Sequence, residues 1–376
     1  WNCSNWRCLI LSNAINWQRE KTPKSFPHSA ALYHMQTALD IHHPAVQSKI
    51  GMADVIVWQR NVLDTAMFDA MDYWRALGKV NVVDLDDHYP AIPASNPAFA
   101  YWTANALEFD PVPVERLKEG LRHSDALVSP SHVILKDWEH VVPGYFWPNY
   151  PALSDYKDLP RREPGDPDIG YYYKMQNGKP EFVVAEQPNT AGNVYIGWGG
   201  SMSHVDSFFY SGAVEALGRL LDERPNVYFK LGGHDERLNF MWENYFPKDK
   251  LVRQQGMDPS HWPNVVASFD IGIAPMDMRE CPTNTGQDNP GYSYDERRSW
   301  LKLVEYLCAG VPFVATDCAP YQELGRFGKL VKNTPTDWYE ALKSRVDGLQ
   351  HFYKEAMANR GYALKKLTIE ANAERL

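Results

Sequence analysis

Residues 299–316, SWLKLVEYLCAGVPFVAT, join a helical pattern directly to a buried strand and decide the fold class. Ser299 is a good N-cap and Gly310 a good C-terminal stop, so the segment between them predicts a helix of about three turns. At ~100° per residue, Ser299, Lys302 and Glu305 share one side of that helix, and nearly all the other positions are apolar. A buried helix followed by a short apolar strand is typical of the α/β class, in which helices cover a parallel sheet.

The polar stripe of this helix faces either water or a ligand. If it faces water, Lys302 and Glu305 form a solvated ion pair that contributes only ~0.2–0.5 kcal/mol. The preceding residues 277–298 favour a ligand, because they form a long polar loop between the strand IGIAPM and the helix. In doubly wound sheets, ligands bind at the carboxyl ends of strands, and a helix N-terminus offers free N–H groups to phosphate. We therefore expect a ligand site at the start of this helix.

A glycine-rich turn at 194–206, VYIGWGGSMSHVD, is the second chemical feature. The strand runs into Gly199, Gly200 and Ser201, and His204 precedes a predicted helix, as in a phosphate-binding turn. The dinucleotide fingerprint GxGxxG fails at Met202, which argues against NAD. The alternative is that the glycines only permit tight packing.

Strand and helix patterns alternate along most of the chain. Strands are predicted at residues 7–12, 54–59, 80–85, 126–129, 194–197, 227–231, 251–253, 271–275 and 313–316. Helices are predicted at residues 29–39, 63–77, 114–123, 131–139, 207–223, 261–267, 299–309 and 338–376. The alternation predicts two Rossmann-like, doubly wound α/β domains, at 1–150 and 191–348. Residues 151–190 are rich in Pro, Gly and charge and are expected to form a linker with a hairpin around Asn177-Gly178.

Composition narrows the possible functions. The 38 Lys+Arg and 47 Asp+Glu residues give a formal charge of −9, which argues against a specific nucleic-acid binder or a protein that grips an anionic membrane surface. No apolar run approaches the ~18–20 residues of a transmembrane segment. The five cysteines form no CxxC pair and no zinc spacing, so a reduced, cytoplasmic protein is expected.

The acidic sequence Asp84-Leu85-Asp86-Asp87-His88 ends a predicted strand of the first domain. Asp84-Leu85-Asp86 matches a DxD metal motif, but the phosphate-like features lie over a hundred residues later, so no metal is expected. At the carboxyl end of a strand, Asp86, Asp87 and His88 are candidates to hold a substrate hydroxyl or to stabilise a charge. The alternative is a group of surface acids that cap a helix or turn.

Several of these segments together resemble a known family. Residues 302–316 (KLVEYLCAGVPFVAT), PYQEL at 320–324 and GKLV at 328–331 resemble the C-terminal donor-binding domain of GT-B fold glycosyltransferases. The resemblance is closest to the large retaining family of glycogen-synthase-like and mannosyltransferase-like enzymes, the group 1 glycosyltransferases, in a bacterial or phage-type branch. It is strong from Val194 to Val331, and it implies two domains that face each other across a cleft. It also implies that the C-terminal helix at 349–376 crosses back to the first domain.

The resemblance assigns roles to particular residues. Glu305 corresponds to the second Glu of the family's E-x7-E motif, which binds ribose hydroxyls, and Arg297 stands at the position of the first. The diphosphate is expected against Ser299, Trp300 and Leu301 and against the Gly199-Gly200-Ser201 turn. The base is expected near Arg253 to Met257. The turn lacks the usual Arg and Lys, and the candidates to replace them are Lys302, Arg297, Arg298 and His204.

The sequence therefore predicts a glycosyltransferase that moves a sugar from a nucleotide-diphosphate donor to an acceptor hydroxyl. Retention and independence of metal are part of the prediction, and no cofactor is expected besides the donor substrate. The catalytic candidates are Asp86, Asp87, His88 and Arg297. The acceptor is a glycan, a lipid-linked sugar or another hydroxyl compound. Two alternatives remain: a two-domain sugar- or nucleotide-binding protein without catalysis, and a degenerate GT-B partner subunit.

Overall fold

The computed structural model describes residues 2–104, 109–187, 192–200, 202–234, 239–280 and 293–376. It divides into two compact units. Unit 1 comprises Trp1–Asn149, Arg279–Ser299 and Leu376, and unit 2 comprises Tyr150–Met278 and Trp300–Arg375.

Unit 1 is built on a parallel sheet that has four strands within the described residues. Its strands, in their order across the sheet, are β1 (Val55–Gln59), β2 (Val80–Asp84), β3 (Ala126–Ser129) and β4 (Gly144–Phe146). Its helices are α1 (Asn2–Ser4), α2 (Ile10–Lys21), α3 (Pro44–Ile50), α4 (Thr65–Ala76), α5 (Phe99–Ala104), α6 (Pro113–Arg122) and α7 (His132–Trp138). A π-helical stretch, Asn5–Leu9, joins α1 to α2, and 3-10 turns cover Met35–Leu39, Tyr89–Ala91 and Asp295–Arg297.

Local sequence explains α4. The Asp64 side chain accepts a hydrogen bond from the Met67 N–H at 2.9 Å and so caps the helix. Met67, Met71 and Trp74 recur at helical spacing and are buried. Met71 and Trp74 belong to the same apolar core of unit 1 as Val83 of β2 and Leu127 of β3.

The strand predicted at 7–12 is wrong, because these residues lie in the helical run from Asn2 to Lys21. A short continuous apolar run fits a buried strand and a buried helix equally well. In the structure Ile10 and Ala14, four residues apart, are both buried, so the helical period applies.

The helix predicted at 29–39 is also wrong, apart from the 3-10 turn Met35–Leu39. The backbone groups of Ala30 bond to a side chain instead of to a helical turn: its N–H donates to Asn16 Oδ1 at 3.0 Å. Its carbonyl accepts from Asn16 Nδ2 at 2.9 Å. The segment is thereby held against α2 without forming a helix of its own.

Unit 2 contains a second parallel sheet, with six strands in the described part of the chain. Its strands are β7 (Val194–Gly199), β8 (Val227–His234), β9 (Leu251–Gln255), β10 (Ile271–Ala274), β11 (Phe313–Thr316) and β12 (Lys329–Val331), in the order β12-β11-β10-β7-β8-β9. Two further strands, β5 (Asp168–Gln176) and β6 (Lys179–Gln187), form an antiparallel hairpin. Its helices are α8 (Leu153–Tyr156), α9 (Val205–Phe209), α10 (Ala213–Glu223), α11 (Asn239–Glu243), α12 (Trp262–Ala267), α13 (Leu301–Ala309), α14 (Pro335–Asp347), α15 (Leu349–Lys366) and α16 (Ile369–Asn372). Its 3-10 turns are Met202–His204, Lys248–Lys250, Ala319–Phe327 and Ala373–Arg375.

The predicted hairpin at Asn177-Gly178 is confirmed, and both turn residues have positive φ, 52° and 74°. The helix predicted at 207–223 is instead divided into α9 and α10. Gly212, with φ of 84°, lies between them, a conformation that L-residues with a Cβ rarely adopt. The tail predicted as helical from 338 likewise divides into α14, α15 and α16.

Strand order places a reversal point in unit 2. From β7 the chain continues to β8 and β9 on one side, and then to β10, β11 and β12 on the other side. In open α/β sheets, ligands bind at the carboxyl ends of the strands where the order reverses, which here is between β7 and β10. Within the described ranges, none of the helices combines the length and the apolar composition that a membrane span requires.

Candidate functional site

Helix α13 begins beside this reversal point and carries the polar stripe. It starts at Leu301, with Trp300 as N-cap residue and no side-chain cap. The prediction that Ser299 is the N-cap is therefore wrong. The Ser299 hydroxyl instead accepts a hydrogen bond from Asn149 Nδ2 at 3.0 Å, and both residues belong to unit 1. The helix ends where predicted, because Gly310 has φ of 71° and acts as a left-handed cap.

Lys302 and Glu305 lie near the carboxyl end of β7. Lys302 Nζ donates to the Gly199 carbonyl at 2.7 Å, which ties the first turn of α13 to the last residue of that strand. Glu305 is buried and accepts a hydrogen bond from the Trp262 side chain. The hypothesis of a solvated ion pair therefore fits poorly, since burial leaves the carboxylate with few partners besides the indole and the nearby ammonium.

The environment of Glu305 changes its acidity. Burial raises its pKa to about 7, and the charge of Lys302 and the hydrogen bond from Trp262 oppose that rise. A carboxyl group of this kind is half protonated near neutral pH, so it can both accept and donate a hydrogen bond. Buried carboxyl groups with shifted pKa values are typical of functional sites.

The glycines of the 194–206 turn have a packing role. A Cβ at Gly199 would lie 2.4 Å from the ring of Trp262, and one at Gly200 would lie 2.5 Å from the ring of Trp198. These distances support the alternative that glycine here makes room for indoles of the chain itself. At Gly200 the backbone continues past the end of β7, and its N–H donates to the Gly232 carbonyl at 3.4 Å. The predicted Ser201 lies outside the described residues.

The other predicted donor residues are spread over unit 2. His204 is half-buried and is the N-cap residue of α9. Arg253, on β9, forms an ion pair with Glu243, with Nη2 2.6 Å from Oε1. Met257 follows the end of β9 and is half-buried. The structure thus brings Gly199, Lys302 and Glu305 together, whereas Arg253 pairs with a residue of α11.

In unit 1, the carboxyl end of β2 is held by a buried ion pair. Arg7 and Asp84 are both buried, with Nη2 2.6 Å from Oδ2 and Nε 3.0 Å from both carboxylate oxygens. Arg7 Nη1 also donates to the Trp147 carbonyl at 2.7 Å and to Asn149 Oδ1 at 3.0 Å. The first Asp of the DxD motif is therefore bonded to an arginine. Across the described residues, no group of three or more His, Cys, Asp and Glu side chains is arranged to hold a metal ion.

Asp86 and Asp87 follow this strand end and lie among residues from distant parts of unit 1. Burial raises the pKa of Asp87, while Arg298 and a hydrogen bond from Tyr294 oppose the rise. Burial also raises the pKa of the Cys3 thiol, and the neighbouring Asp86 carboxylate adds to that effect. Both Asp86 and Asp87 are half-buried, so they are not the fully solvated surface acids of the alternative hypothesis.

His88 and Arg297 meet at Asp137 of α7. Arg297 Nε lies 2.6 Å from Asp137 Oδ2, and His88 Nδ1 lies 3.3 Å from the same oxygen. Burial, together with the nearby Arg297, lowers the pKa of His88 to about 3, so its imidazole is neutral at pH 7. All four catalytic candidates therefore lie in unit 1, and Arg297 shares Asp137 with His88.

Three residues of these clusters carry no signal in the sequence. Arg7 and Asp137 lie in segments whose pattern indicates only a strand and a helix, and Trp262 opens a short apolar helix. Arg7 lies 77 residues from its partner Asp84, and Asp137 lies 160 residues from its partner Arg297. For residues 293–298, the one signal in the sequence was the length and polarity of the segment before α13, which indicated a functional loop.

Comparison with known proteins adds to this geometry. No protein-family model matches the chain, and no curated sequence matches it. Solved structures do match. A sucrose-phosphate synthase from Thermosynechococcus elongatus has a TM-score of 0.54 at 12% identity, covering 94% of this chain and 80% of that one.

Two further structures are similar. A glycosyltransferase from Rickettsia africae has a TM-score of 0.51 at 13% identity, covering 92% and 81% of the two chains. A UDP-forming α,α-trehalose-phosphate synthase from Burkholderia xenovorans has a TM-score of 0.50 at 12% identity, covering 99% and 84%. At these identities the likeness concerns the fold. The predicted class, two Rossmann-like α/β domains of the GT-B type, is confirmed.

Proposed function

We propose that this protein is a glycosyltransferase that transfers a sugar from a nucleotide-diphosphate donor to an acceptor hydroxyl, with retention of configuration and without a metal ion. The observation that carries the proposal is the position of Glu305 and Lys302 at the carboxyl end of β7, in a domain of GT-B fold. The names of the similar structures, two sugar-phosphate synthases and a glycosyltransferase, support the same class of reaction. One of those names includes UDP as a product.

Unit 2 supplies the donor site in this proposal. The Glu305 carboxylate accepts hydrogen bonds from the ribose hydroxyls, and the Trp262 indole keeps it in place. The diphosphate lies against Trp300, Leu301 and Gly200, where the N-terminus of α13 contributes the positive end of its helix dipole. The Lys302 ammonium, fixed on the Gly199 carbonyl, adds a full positive charge near the same place. The base lies near Arg253 to Met257.

Unit 1 supplies the groups proposed to act on the acceptor and on the charge of the transition state. At pH 7 neutral His88 has one ring nitrogen that donates a hydrogen bond and one that accepts, and its Nδ1 lies 3.3 Å from Asp137 Oδ2. Asp86 and Asp87 offer carboxyl oxygens to a hydroxyl or to an oxocarbenium-like sugar. Retention rests on the resemblance of residues 302–331 to the retaining family. Independence of metal rests on Asp84 being bonded to Arg7.

Nucleotide binding tests the donor site. Glu305→Ala removes a charge-assisted hydrogen bond of ~1.5–3 kcal/mol, so the dissociation constant for UDP, GDP or ADP, whichever binds best, should rise by about 10–150-fold. Isothermal titration calorimetry measures that constant. Glu119→Ala, at an exposed position of unit 1, is the matched control and should leave it unchanged. An unchanged constant in folded Glu305→Ala would show that the donor site lies elsewhere.

Chelation tests independence of metal. With EDTA, transfer or donor hydrolysis should continue within about twofold of its original rate. Activity that collapses and returns with manganese or magnesium would assign a metal role to Asp86 and its neighbours.

A second candidate function is a GT-B protein that binds nucleotide without catalysis. It is favoured by one observation, that Arg297 stands at the position of the family's first motif Glu and is buried in a pair with Asp137. A panel of UDP-, GDP- and ADP-sugars separates the two functions. Nucleotide binding without any donor hydrolysis or transfer indicates the non-catalytic protein.

A further inference from the structure

The hairpin β5–β6 is fastened to the sheet of unit 2 near its base. Lys230 Nζ, on β8, donates to Asp168 Oδ1 at 2.7 Å and to the Ile169 carbonyl at 2.6 Å. Lys230 alternates along β8 with the core residues Phe229 and Leu231, so the hairpin covers the face of the sheet opposite that core. On the edge strand β9, Gln254 Oε1 accepts from the Tyr171 N–H at 3.0 Å.

A second attachment lies farther along the hairpin. The Tyr173 hydroxyl bonds to Asp258 at 2.9 Å, and the Phe182 ring stacks on His261 with centroids 4.0 Å apart. Because β5 has only nine residues, these two attachments hold most of the hairpin in place against the sheet of unit 2. The side chains that line the space between the hairpin and the sheet are therefore preorganised.

A cavity of about 470 Å³ lies between the hairpin and the sheet. Tyr171 and Tyr172 line it from the hairpin, and Tyr195 and Tyr228 line it from the first halves of β7 and β8. Tyr195 precedes Gly199 by four residues, which corresponds to ~13 Å along a strand. The aromatic part of the cavity is thus separate from the donor site at the carboxyl end of β7.

The charges of the lining argue against an ionic ligand. Its carboxylates, Asp168 and Asp249, outnumber its one guanidinium, Arg253, which is already paired with Glu243. Asp168 pairs with Lys230 and Arg253 pairs with Glu243, so the lining has no excess of positive charge to hold a phosphate. An organic cation is disfavoured as well, because Lys230 lies 5.4 Å from the Tyr195 ring and Lys250 lies 4.7 Å from the Tyr228 ring.

The remaining chemistry suits a neutral, polyhydroxylated ligand. Four tyrosines present flat rings with hydroxyl groups, and Val252 is the one aliphatic side chain of the lining, so a lipid tail finds little to contact. Asn193, Asp249 and Gln255 offer amide and carboxylate groups of the kind that bind pairs of sugar hydroxyls. The volume falls within the range of small-molecule sites.

We propose that this cavity is a saccharide-binding site for a mono- or disaccharide unit, separate from Glu305 and Lys302 of the donor site. Its lining shares Arg253 and Gln255 with the segment proposed to lie near the base, so competition with UDP tests this separation. The saccharide site goes beyond the proposed function, since a protein that binds sugar here needs no catalysis to do so. In a glycosyltransferase, a glycan held at this site stays at high local concentration near the enzyme.

Affinity electrophoresis of the full chain in gels that contain amylose, dextran or yeast mannan tests the proposal. We expect at least one polysaccharide to retard the protein. Tyr172→Ala and Asp249→Asn, both at exposed positions, should weaken that retardation at least fivefold in apparent affinity. Tyr145→Ala, at an exposed tyrosine of unit 1, is the matched control and should migrate like the wild type.

Saturation-transfer NMR with maltose, methyl mannoside and N-acetylglucosamine gives a second measurement. Excess UDP should leave the saccharide signals unchanged, and UDP affinity should be the same in wild type and Tyr172→Ala. The proposal would be overturned if none of the saccharides bound. It would also be overturned if Tyr172→Ala and Asp249→Asn bound saccharide as tightly as the wild type. Displacement of the sugar by UDP would also overturn it. Loss of UDP binding in Glu305→Ala is independent of all these outcomes, so the two proposals fail separately.

Discussion

Arg297 grips Asp137 at two points: its Nε lies 2.6 Å from Oδ2, and its Nη2 lies 3.2 Å from Oδ1. Its Nη1 also donates to the Ser293 carbonyl at 2.9 Å. Arg297 therefore fixes the short 3-10 turn Asp295–Arg297 to α7 within unit 1. It also neutralises the carboxylate that contacts His88.

Arg297→Ala should strongly destabilise unit 1. Removing one partner of a buried pair leaves an uncompensated charge and costs about 3–5 kcal/mol of unfolding free energy. Urea unfolding followed by circular dichroism measures the loss. Arg75→Ala is the matched control, since its pairs with Asp72 and Asp125 are partly exposed and should be worth no more than about 1 kcal/mol. Equal losses in the two variants would contradict the role given to Arg297.

The depressed pKa of His88 predicts an acid sensitivity. In the folded protein the pKa is about 3, against 6.5 for an ordinary histidine, so the unfolded chain binds more protons between these values. Stability should therefore fall as the pH is lowered from about 6.5 towards 3. His88→Gln removes this contribution and should flatten the profile of melting temperature against pH. His351→Gln, exposed on α15, should retain the wild-type slope.

Glu305 predicts the opposite dependence. Its pKa is raised from 4.5 to about 7, so the folded protein binds more protons than the unfolded chain between these values. The contribution of this carboxyl to stability should therefore fall as the pH rises from about 4.5 to 7. Glu305→Gln keeps the hydrogen bond from Trp262 without the charge. Its melting temperature should match that of the wild type near pH 5 and exceed it near pH 8, and a gap that does not change with pH would refute the assignment.

The C-terminal helices should be needed for the stability of unit 2. Arg360 of α15 donates to the Tyr156 and Leu159 carbonyls at 2.7 and 3.0 Å, and Glu370 of α16 accepts from the Leu153 N–H at 2.7 Å. Arg360→Ala should lower the melting temperature by several degrees, because the carbonyls of two buried residues, Tyr156 and Leu159, lose their hydrogen-bond partner. Lys354→Ala, exposed on the same helix, should not lower it. The crossing of this tail to the first domain stays a prediction.

The sequence by itself determined the elements whose patterns are local. Strands β3 and β11 lie where their apolar runs predicted them, and α13 ends at the predicted glycine. The Asn177-Gly178 turn, too, needed only its own two residues to specify a hairpin. Such features depend on neighbours within a few positions, so short-range propensity is enough to place them.

Tertiary structure alone decided the rest. It placed Arg7, in a segment predicted to be a strand, against Asp84 on β2, 77 residues away. It gave Gly199 a neighbour in the Trp262 ring, and it placed Arg297 against Asp137. These pairings join residues far apart in the chain, and each is stable only where burial removes water as a competing partner. No periodicity in the sequence marks such a partner, since its position depends on how the whole unit folds.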